Sequence, residues 1–115
     1  MLTKFPWTRL FADKWLLDIA CLPAIECAIY LKLRLQMLYV GEPILNDTRA
    51  LSHFTGCSVK RFEKALEYLL ETGHLILQDD GHLWSFKVGE ELESLSEELG
   101  KYSLNIGAKG GKYVN

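Results

Sequence analysis

The clearest pattern of apolar and polar positions in this chain lies between residues 58 and 73. Five apolar residues follow one another there at intervals of 3, 4, 3 and 1, which places them on one face of a helix. They are Val59, Phe62, Leu66, Leu69 and Leu70. Ser58 precedes them as a predicted N-cap, and Gly73 follows at a position where helices commonly end. The pattern therefore predicts an amphipathic helix between these two residues.

Another helix is predicted immediately before this one. Asn46 or Asp47 would cap it, and it would run through Phe54. Thr55-Gly56-Cys57 would then form the turn between the two helices. Two helices joined by a short turn that contains glycine are the arrangement of a helix-turn-helix.

A β-hairpin is predicted after the two helices. Residues 74–78 and 82–86 read as short strands around Asp79-Asp80-Gly81, and such a turn sequence is a strong hairpin signal. The order helix, turn, helix, hairpin is that of a winged helix-turn-helix. We therefore predict a mostly α-helical fold with a small β-hairpin, in which a winged helix-turn-helix stands between N- and C-terminal helices.

The N-terminal part of the chain shows two further helical patterns. A short helix is predicted from about residue 9 to residue 18, with Thr8 as its cap. A longer one is predicted over residues 23–40, with Gly41 as its stop. Residues 31–37 alternate like a strand, but their Leu, Lys, Arg, Gln and Met are helix formers, so we favour the helix.

The C-terminal part of the chain divides near Gly100. From Val88 onwards, leucines recur on one helical face and acidic residues lie elsewhere. Beyond Gly100 the sequence is basic and rich in glycine. We therefore predict a winged-helix domain with its N-terminal helices over residues 1–100 and a flexible tail over residues 101–115.

Composition limits the classes of function. The chain has 115 residues, of which 49% are hydrophobic, so it can bury the core of one domain. Its net charge of −2 argues against a protein that coats nucleic acid by charge alone. Any DNA binding must therefore come from a local basic patch.

Cysteine and histidine usage indicates neither a disulfide framework nor a metal site. The three cysteines include no CxxC pair, and their odd number fits a reducing cytoplasm. The three histidines match no zinc template. The sequence also shows no nucleophile with its base and no phosphate loop, and its apolar-rich stretch at residues 24–40 is too charged to span a bilayer. We expect a cytoplasmic protein with no membrane contact, no enzymatic activity, no metal and no cofactor.

The beginning of the helix after Gly56 carries the candidate site. A helix that enters the major groove presents its N-terminal side chains outward while its apolar stripe stays anchored. The predicted nucleic-acid contacts, all off the stripe, are Ser58, Lys60, Arg61 and Lys64. Secondary candidates in the tail are Lys109 and Lys112.

Acidic residues keep a second interpretation open. Glu67 and Glu71 confine any contact to the N-terminal half of the helix, and Asp79-Asp80 at the hairpin tip would repel phosphate. The alternative is a protein-interaction adaptor that dimerises or docks a replisome or host factor. Aromatic residues near the start fit a core or an oligomer interface better than a stacking platform for single strands; they are Phe5, Trp7, Phe11 and Trp15.

Several segments of the sequence resemble one family. They are residues 11–18 (FADKWLLD), 28–33 (AIYLKL), 41–47 (GEPILND), 51–62, 80–83 (DGHL) and 107–111 (GAKGG). In these segments the chain resembles the YdaU-like phage and prophage proteins. The resemblance implies a winged-helix domain in phage or prophage replication initiation. It also implies a replicative helicase or its loader as a partner. The candidate site on the helix after Gly56 predicts duplex DNA as a partner, and the adaptor interpretation adds a second copy in a homodimer. A small transcriptional regulator with the same fold is the third alternative.

Overall fold

The computed structural model describes residue 7 and residues 9–110, with side chains up to residue 98. Within this part of the chain, five helices and three short strands follow one another. They are α1 (Ala12–Ile19), α2 (Ala24–Val40), β1 (Ile44–Leu45), α3 (Thr48–Thr55), α4 (Val59–Glu71), β2 (Ile76–Leu77), β3 (His82–Trp84) and α5 (Phe86–Gly110). The prediction of a mostly α-helical fold with a small β element is confirmed at this level.

The core is built around α2, which contacts α3, α4 and α5. Ile29, Leu33 and Met37 are fully buried at a spacing of four residues, which is a helical and not a strand spacing. α2 begins directly after Pro23 and is followed by Gly41. Gly41 has a φ of 77°, the left-handed conformation in which helices commonly end. The helix predicted here is confirmed, and the strand-like alternation inside it forms no strand.

α3 and α4 pack against each other, and both begin with a capping side chain. The N–H of Ala50 donates to Oδ1 of Asp47 at 3.2 Å, so the second of the two predicted residues caps α3. The N–H of Arg61 donates to Oγ of Ser58 at 3.2 Å, as predicted for α4. Gly56 between the helices has a φ of 82°, a conformation that glycine adopts without steric cost.

The three strands form one antiparallel sheet in the order β1-β3-β2. β2 and β3 are the predicted hairpin, in which Leu77 lies opposite Leu83 and Gly81 turns the chain with a φ of 85°. Both strands are shorter than predicted, and α5 already begins at Phe86. β1 was not predicted: its Ile44 pairs with Leu83 from a segment that read as a connector. Two residues are too few to show a strand period.

α1 begins later than its predicted start. Its first residue is Ala12, and Phe11 precedes it in an extended conformation without a side-chain cap. The predicted cap, Thr8, lies outside the described residues. Trp15 is the α1 residue that is buried in the core.

α5 is longer at both ends than predicted. It includes Gly100 and continues to Gly110, since one glycine in a helix interior costs about 1 kcal/mol and does not by itself end the helix. The predicted tail, residues 101–115, therefore overlaps α5, and residues 111–115 lie outside the described part of the chain. The flexibility of this tail stays a prediction.

Candidate nucleic-acid interface

The first two turns of α4 present three cations to solvent. Lys60, Arg61 and Lys64 are exposed, whereas Phe62, which lies between them, and Ala65, which follows them, are buried in the core. Lys60 and Lys64 are one helical turn apart, so they are neighbours on the helix surface. In the described part of the chain, no carboxylate lies within ion-pair distance of these three cations. Their charge is therefore open to an external partner.

The N-terminus of α4 adds neutral donors beside these cations. Ser58 is exposed, and because its Oγ acts as acceptor in the cap, its O–H is not used there. The N–H groups of Val59 and Lys60 belong to the first turn, where no intrahelical acceptor exists. An anion at this end of α4 would meet these donors together with the positive end of the helix dipole.

Two further cations lie on the helices around the turn, and sequence reasoning missed both. Lys32, on α2, donates from Nζ to the carbonyl oxygen of Thr55 at 3.2 Å. This bond provides a donor for a carbonyl group at the C-terminus of α3. It lies beside the turn, since a Cβ built on Gly56 would be 4.0 Å from Lys32 Nζ. Arg49 is exposed on α3. Their positions depend on how α2 and α3 pack, which spacing along α4 does not reveal.

Acidic residues bound the basic face on α4. Glu63, Glu67 and Glu71 are exposed, and together with Lys64 and Asn46 they line a cleft of about 530 Å³. Carboxylates repel phosphate, so the C-terminal half of α4 is unsuited to a nucleic-acid backbone. Any nucleic-acid contact on this helix would therefore be confined to its first two turns.

The acidic tip of the hairpin has a structural role. Oδ1 of Asp80 accepts the N–H of His82 at 3.1 Å, a local bond of the kind by which aspartate stabilises turns. Asp79 and Asp80 are both exposed. The charge at the tip is thus explained in part by the turn, although it would still repel a phosphate placed against it.

Side chains of the two tail candidates are not part of the described structure. Lys109 lies in α5, where the backbone alone is described, and Lys112 lies outside the described residues.

In the described part of the chain, no three His, Cys, Asp or Glu side chains are grouped to hold a metal ion. Among the described helices, none is both long and apolar enough to cross a membrane. The three cysteines are free thiols.

A buried charge cluster lies between α1, α2 and α5, and the sequence pattern did not predict it. Arg34 of α2 is only 2% exposed, and it forms ion pairs with Asp18 of α1 at 2.9 Å and with Glu91 of α5 at 3.1 Å. Its guanidinium lies 3.9 Å from the centre of the Trp15 ring, within the range of a cation–π interaction. One buried cation therefore connects three helices.

Neighbouring groups complete the hydrogen bonds of this cluster. Nε1 of Trp15 donates to Glu91 at 2.7 Å, and Arg34 donates to the hydroxyl of Tyr30 at 3.1 Å. Burial raises the pKa of Tyr30, although Arg34 opposes this. Burial alone would lower the pKa of Arg34, but Tyr30 and the two carboxylates outweigh it and raise the pKa above its ordinary value. Because its charges are paired and hydrogen-bonded, the cluster has the character of a structural element.

Comparison with known families identifies where this chain belongs. A family model described as "Protein of unknown function (DUF1376)" matches residues 6–93, and the chain belongs to this family. The matched segment contains every element from α1 to β3 and the first turns of α5. Comparison with curated proteins and with solved structures found no match. The family description names no activity, so the function has to be argued from the site.

Proposed function

We propose that this member of the DUF1376 family is a winged helix-turn-helix protein that binds duplex DNA and is associated with phage or prophage replication initiation. The observation that carries the proposal is the group formed by Lys60, Arg61 and Lys64, which is exposed and, among the described residues, unpaired. The group lies at the start of a capped helix that follows a tight glycine turn. Ser58 and the first-turn N–H groups add donors for a phosphate.

The order of the elements supports α4 as a recognition helix. In helix-turn-helix domains, the second helix lies in the major groove with its N-terminal residues against base edges, while the first helix crosses the backbone. Lys60 and Arg61 occupy that N-terminal position on α4, and the exposed Arg49 lies on α3. The β2–β3 hairpin follows α4 in the place of a wing, and β1 extends it to three strands.

The contact should be small and sensitive to salt. The chain has a net charge of −2, so attraction to DNA depends on the local group of cations. Three phosphate contacts on a duplex give a slope of about −2.7 in a plot of log K against log salt concentration. Binding should therefore weaken roughly 40-fold when salt rises from about 50 to about 200 mM.

Fluorescence anisotropy with a labelled mixed-sequence duplex, measured at several salt concentrations, tests the site. The variant in which Lys60, Arg61 and Lys64 are all replaced by alanine should bind at least about tenfold more weakly at low salt. Its salt slope should also become shallower by about 2 to 3, because each lost phosphate contact removes roughly one.

A charge-matched control variant removes three cations from the side of α1 and α5; these are Arg9, Lys14 and Lys87. Both variants have the same net charge, so a difference between them reports the position of the charges. The control should keep the wild-type slope, provided that it sediments like the wild type. Unchanged affinity and slope in the α4 variant would refute this binding site, and no anisotropy change with micromolar wild-type protein at low salt would refute DNA binding.

The association with replication rests on the resemblance to YdaU-like phage and prophage proteins. It predicts that deletion of the gene lowers the copy number of phage DNA after induction, as measured by quantitative PCR. Recruitment of a replicative helicase or its loader would be seen as co-purification that depends on this protein. A transcriptional regulator would instead prefer a palindromic duplex and would leave the copy number unchanged.

A second candidate function is a protein-interaction adaptor. The observation that favours it is the exposure of large apolar side chains on α1, where Leu16 is 65% and Leu17 77% exposed. Singly exposed leucines are ordinary on protein surfaces, but neighbouring ones mark interaction sites. If neither duplex nor single-stranded DNA binds at micromolar protein and low salt, the adaptor becomes the better explanation.

A further inference from the structure

Exposed apolar side chains cover the outer side of α1 and the start of α5. We refer to Phe11, Leu16, Leu17 and Phe86 as the α1 patch. Phe86 is 67% exposed, and Phe11 is 44% exposed. Leu17 connects the patch, because it lines one cleft of about 300 Å³ together with Phe11 and a second one of about 380 Å³ together with Phe86. Leu16 is its neighbour in the chain and is exposed beside it.

The size of the α1 patch suits the centre of a protein–protein interface. An aromatic side chain has about 150–250 Å² of surface, so Phe11 and Phe86 together leave roughly 200 Å² in water. With Leu16 and Leu17 the patch reaches roughly 400–500 Å², which equals the largest apolar patch of a typical monomer. A standard interface buries about 800 Å² on each partner and is roughly 55–65% apolar. The α1 patch therefore has the size of the apolar centre of such an interface.

The inner side of α1 is fixed, so the patch is presented by an ordered helix. Trp15 is buried, and Asp18 pairs with the buried Arg34. Trp15 also donates to Glu91 of α5, which ties the two helices that carry the patch to each other. A surface that is already in place loses little conformational entropy when a partner binds.

Charges of both signs surround the α1 patch. The cations are Arg9, Lys14 and Lys87, and the carboxylates are Asp13, Glu90 and Glu98. Such a rim disfavours a nucleic-acid strand, because the carboxylates would repel its phosphates. Within one copy, Arg9 already pairs with Glu98, and Lys87 lies 3.7 Å from Asp18. The rim still suits a second copy of the same surface, since a two-fold axis through the patch can bring Lys14 of one copy against Asp13 or Glu90 of the other.

We propose that the α1 patch is a self-association surface whose occupant is a second copy of this chain, related by a two-fold axis. Leu16 and Leu17 of both copies lie at the centre of the interface, and the charged rim sets the orientation. No residue of α4 lines either cleft, so both basic faces stay accessible in the dimer. The proposal does not depend on DNA binding and can be tested without DNA.

Sedimentation velocity of the purified full chain over about 1–200 μM tests the proposal. The wild type should sediment increasingly as a dimer as its concentration rises. Leu17→Glu places a charge in the apolar centre and should weaken dimerisation at least about 30-fold, as loss of an interface hot spot does. Leu16→Glu is a second variant with the same expected effect.

A matched control is Leu35→Glu, which changes an exposed leucine of α2 that lines neither cleft and should leave the dimer intact. Circular dichroism and thermal unfolding verify that each variant is folded. Dimer loss in the two patch variants, with a dimeric control, supports the proposal. A wild type that stays monomeric throughout overturns it, as do patch variants that still dimerise or a control that dissociates equally.

Discussion

Replacement of Arg34 by methionine should destabilise the fold strongly, because it leaves two largely buried carboxylates without their cation. The side chains of Asp18 and Glu91 are 12% and 15% exposed, so water solvates them poorly. Removal of one partner from a buried ion pair typically costs about 3–5 kcal/mol. Two contacts remain in the variant, from Trp15 to Glu91 and from Lys87 to Asp18 at 3.7 Å. We therefore expect a loss of about 3 kcal/mol, at the lower end of this range.

This loss is a large part of the total stability. A chain of 115 residues has a free energy of unfolding of roughly 6–17 kcal/mol. For a domain of about 100 residues, each kcal/mol lowers Tm by about 4–6 °C, so the Arg34→Met variant should melt about 12–18 °C below the wild type. Urea unfolding at pH 7 gives the free energy directly, and thermal unfolding checks the shift in Tm.

The control for this experiment removes all three charges of the cluster. It combines Arg34→Met with Asp18→Asn and Glu91→Gln, and it should be more stable than Arg34→Met alone, because uncharged replacement of a buried cluster is often nearly neutral. The reasoning would be refuted by a deficit below about 1 kcal/mol at pH 7. An uncharged triple variant that is as unstable as Arg34→Met alone would refute it equally.

Two further predictions concern the turn and the buried tyrosine. Gly56 has a φ of 82°, so Gly56→Ala should lower the free energy of unfolding in urea by about 1–2 kcal/mol. Gly89→Ala inside α5 is the control and should be neutral or stabilising. Equal effects of the two substitutions would contradict the role of the turn. Burial raises the pKa of Tyr30, so its contribution to stability is complete below pH 10 and is lost as the pH rises further. Above pH 10 the free energy of unfolding of the wild type should fall faster than that of Tyr30→Phe, by up to about 1.4 kcal/mol per pH unit. If the two proteins lost stability in parallel as the pH rises, this prediction would be wrong.

The features that sequence reasoning predicted correctly are determined by neighbouring residues. A cap acts on the N–H three residues later, as Asp47 and Ser58 do, and a helical stripe shows its period within four turns. Gly41 closes α2 through its own positive φ. These signals are local, so they can be recognised from one sequence without knowledge of the tertiary fold.

The features that were missed depend on contacts between distant parts of the chain. In the sequence, Arg34 is one of the charges that argue against a membrane span at residues 24–40. In the structure it is buried, because Asp18 and Glu91, which are 16 and 57 residues away in the chain, pair with it. Lys32 reaches a carbonyl 23 residues away. β1 has two residues and exists through its pairing with β3. No periodicity along the chain contains this information.

The aromatic residues near the N-terminus illustrate the same limit. They were expected in a core or an oligomer interface, and the structure divides those that it describes. Trp15 is buried over Arg34, while Phe11 and Trp7 are exposed. Phe5 lies outside the described residues. Sequence reasoning identified these residues as important for packing but could not assign each one to the inner or the outer side.

Different interactions hold the two proposed surfaces, the basic face of α4 and the α1 patch, in place. Substitutions can therefore disturb one surface without the other. α4 is anchored by Phe62, Leu66 and Leu69, which pack into the apolar core, so the position of its basic face depends on hydrophobic burial. α1 buries Trp15 and packs Ile19 against the core, and the ion pair between Asp18 and Arg34 also holds it in place. A change in the charge cluster should therefore displace the α1 patch while α4 keeps its place. DNA binding and self-association can thus be removed one at a time, and the failure of one proposal would leave the other standing.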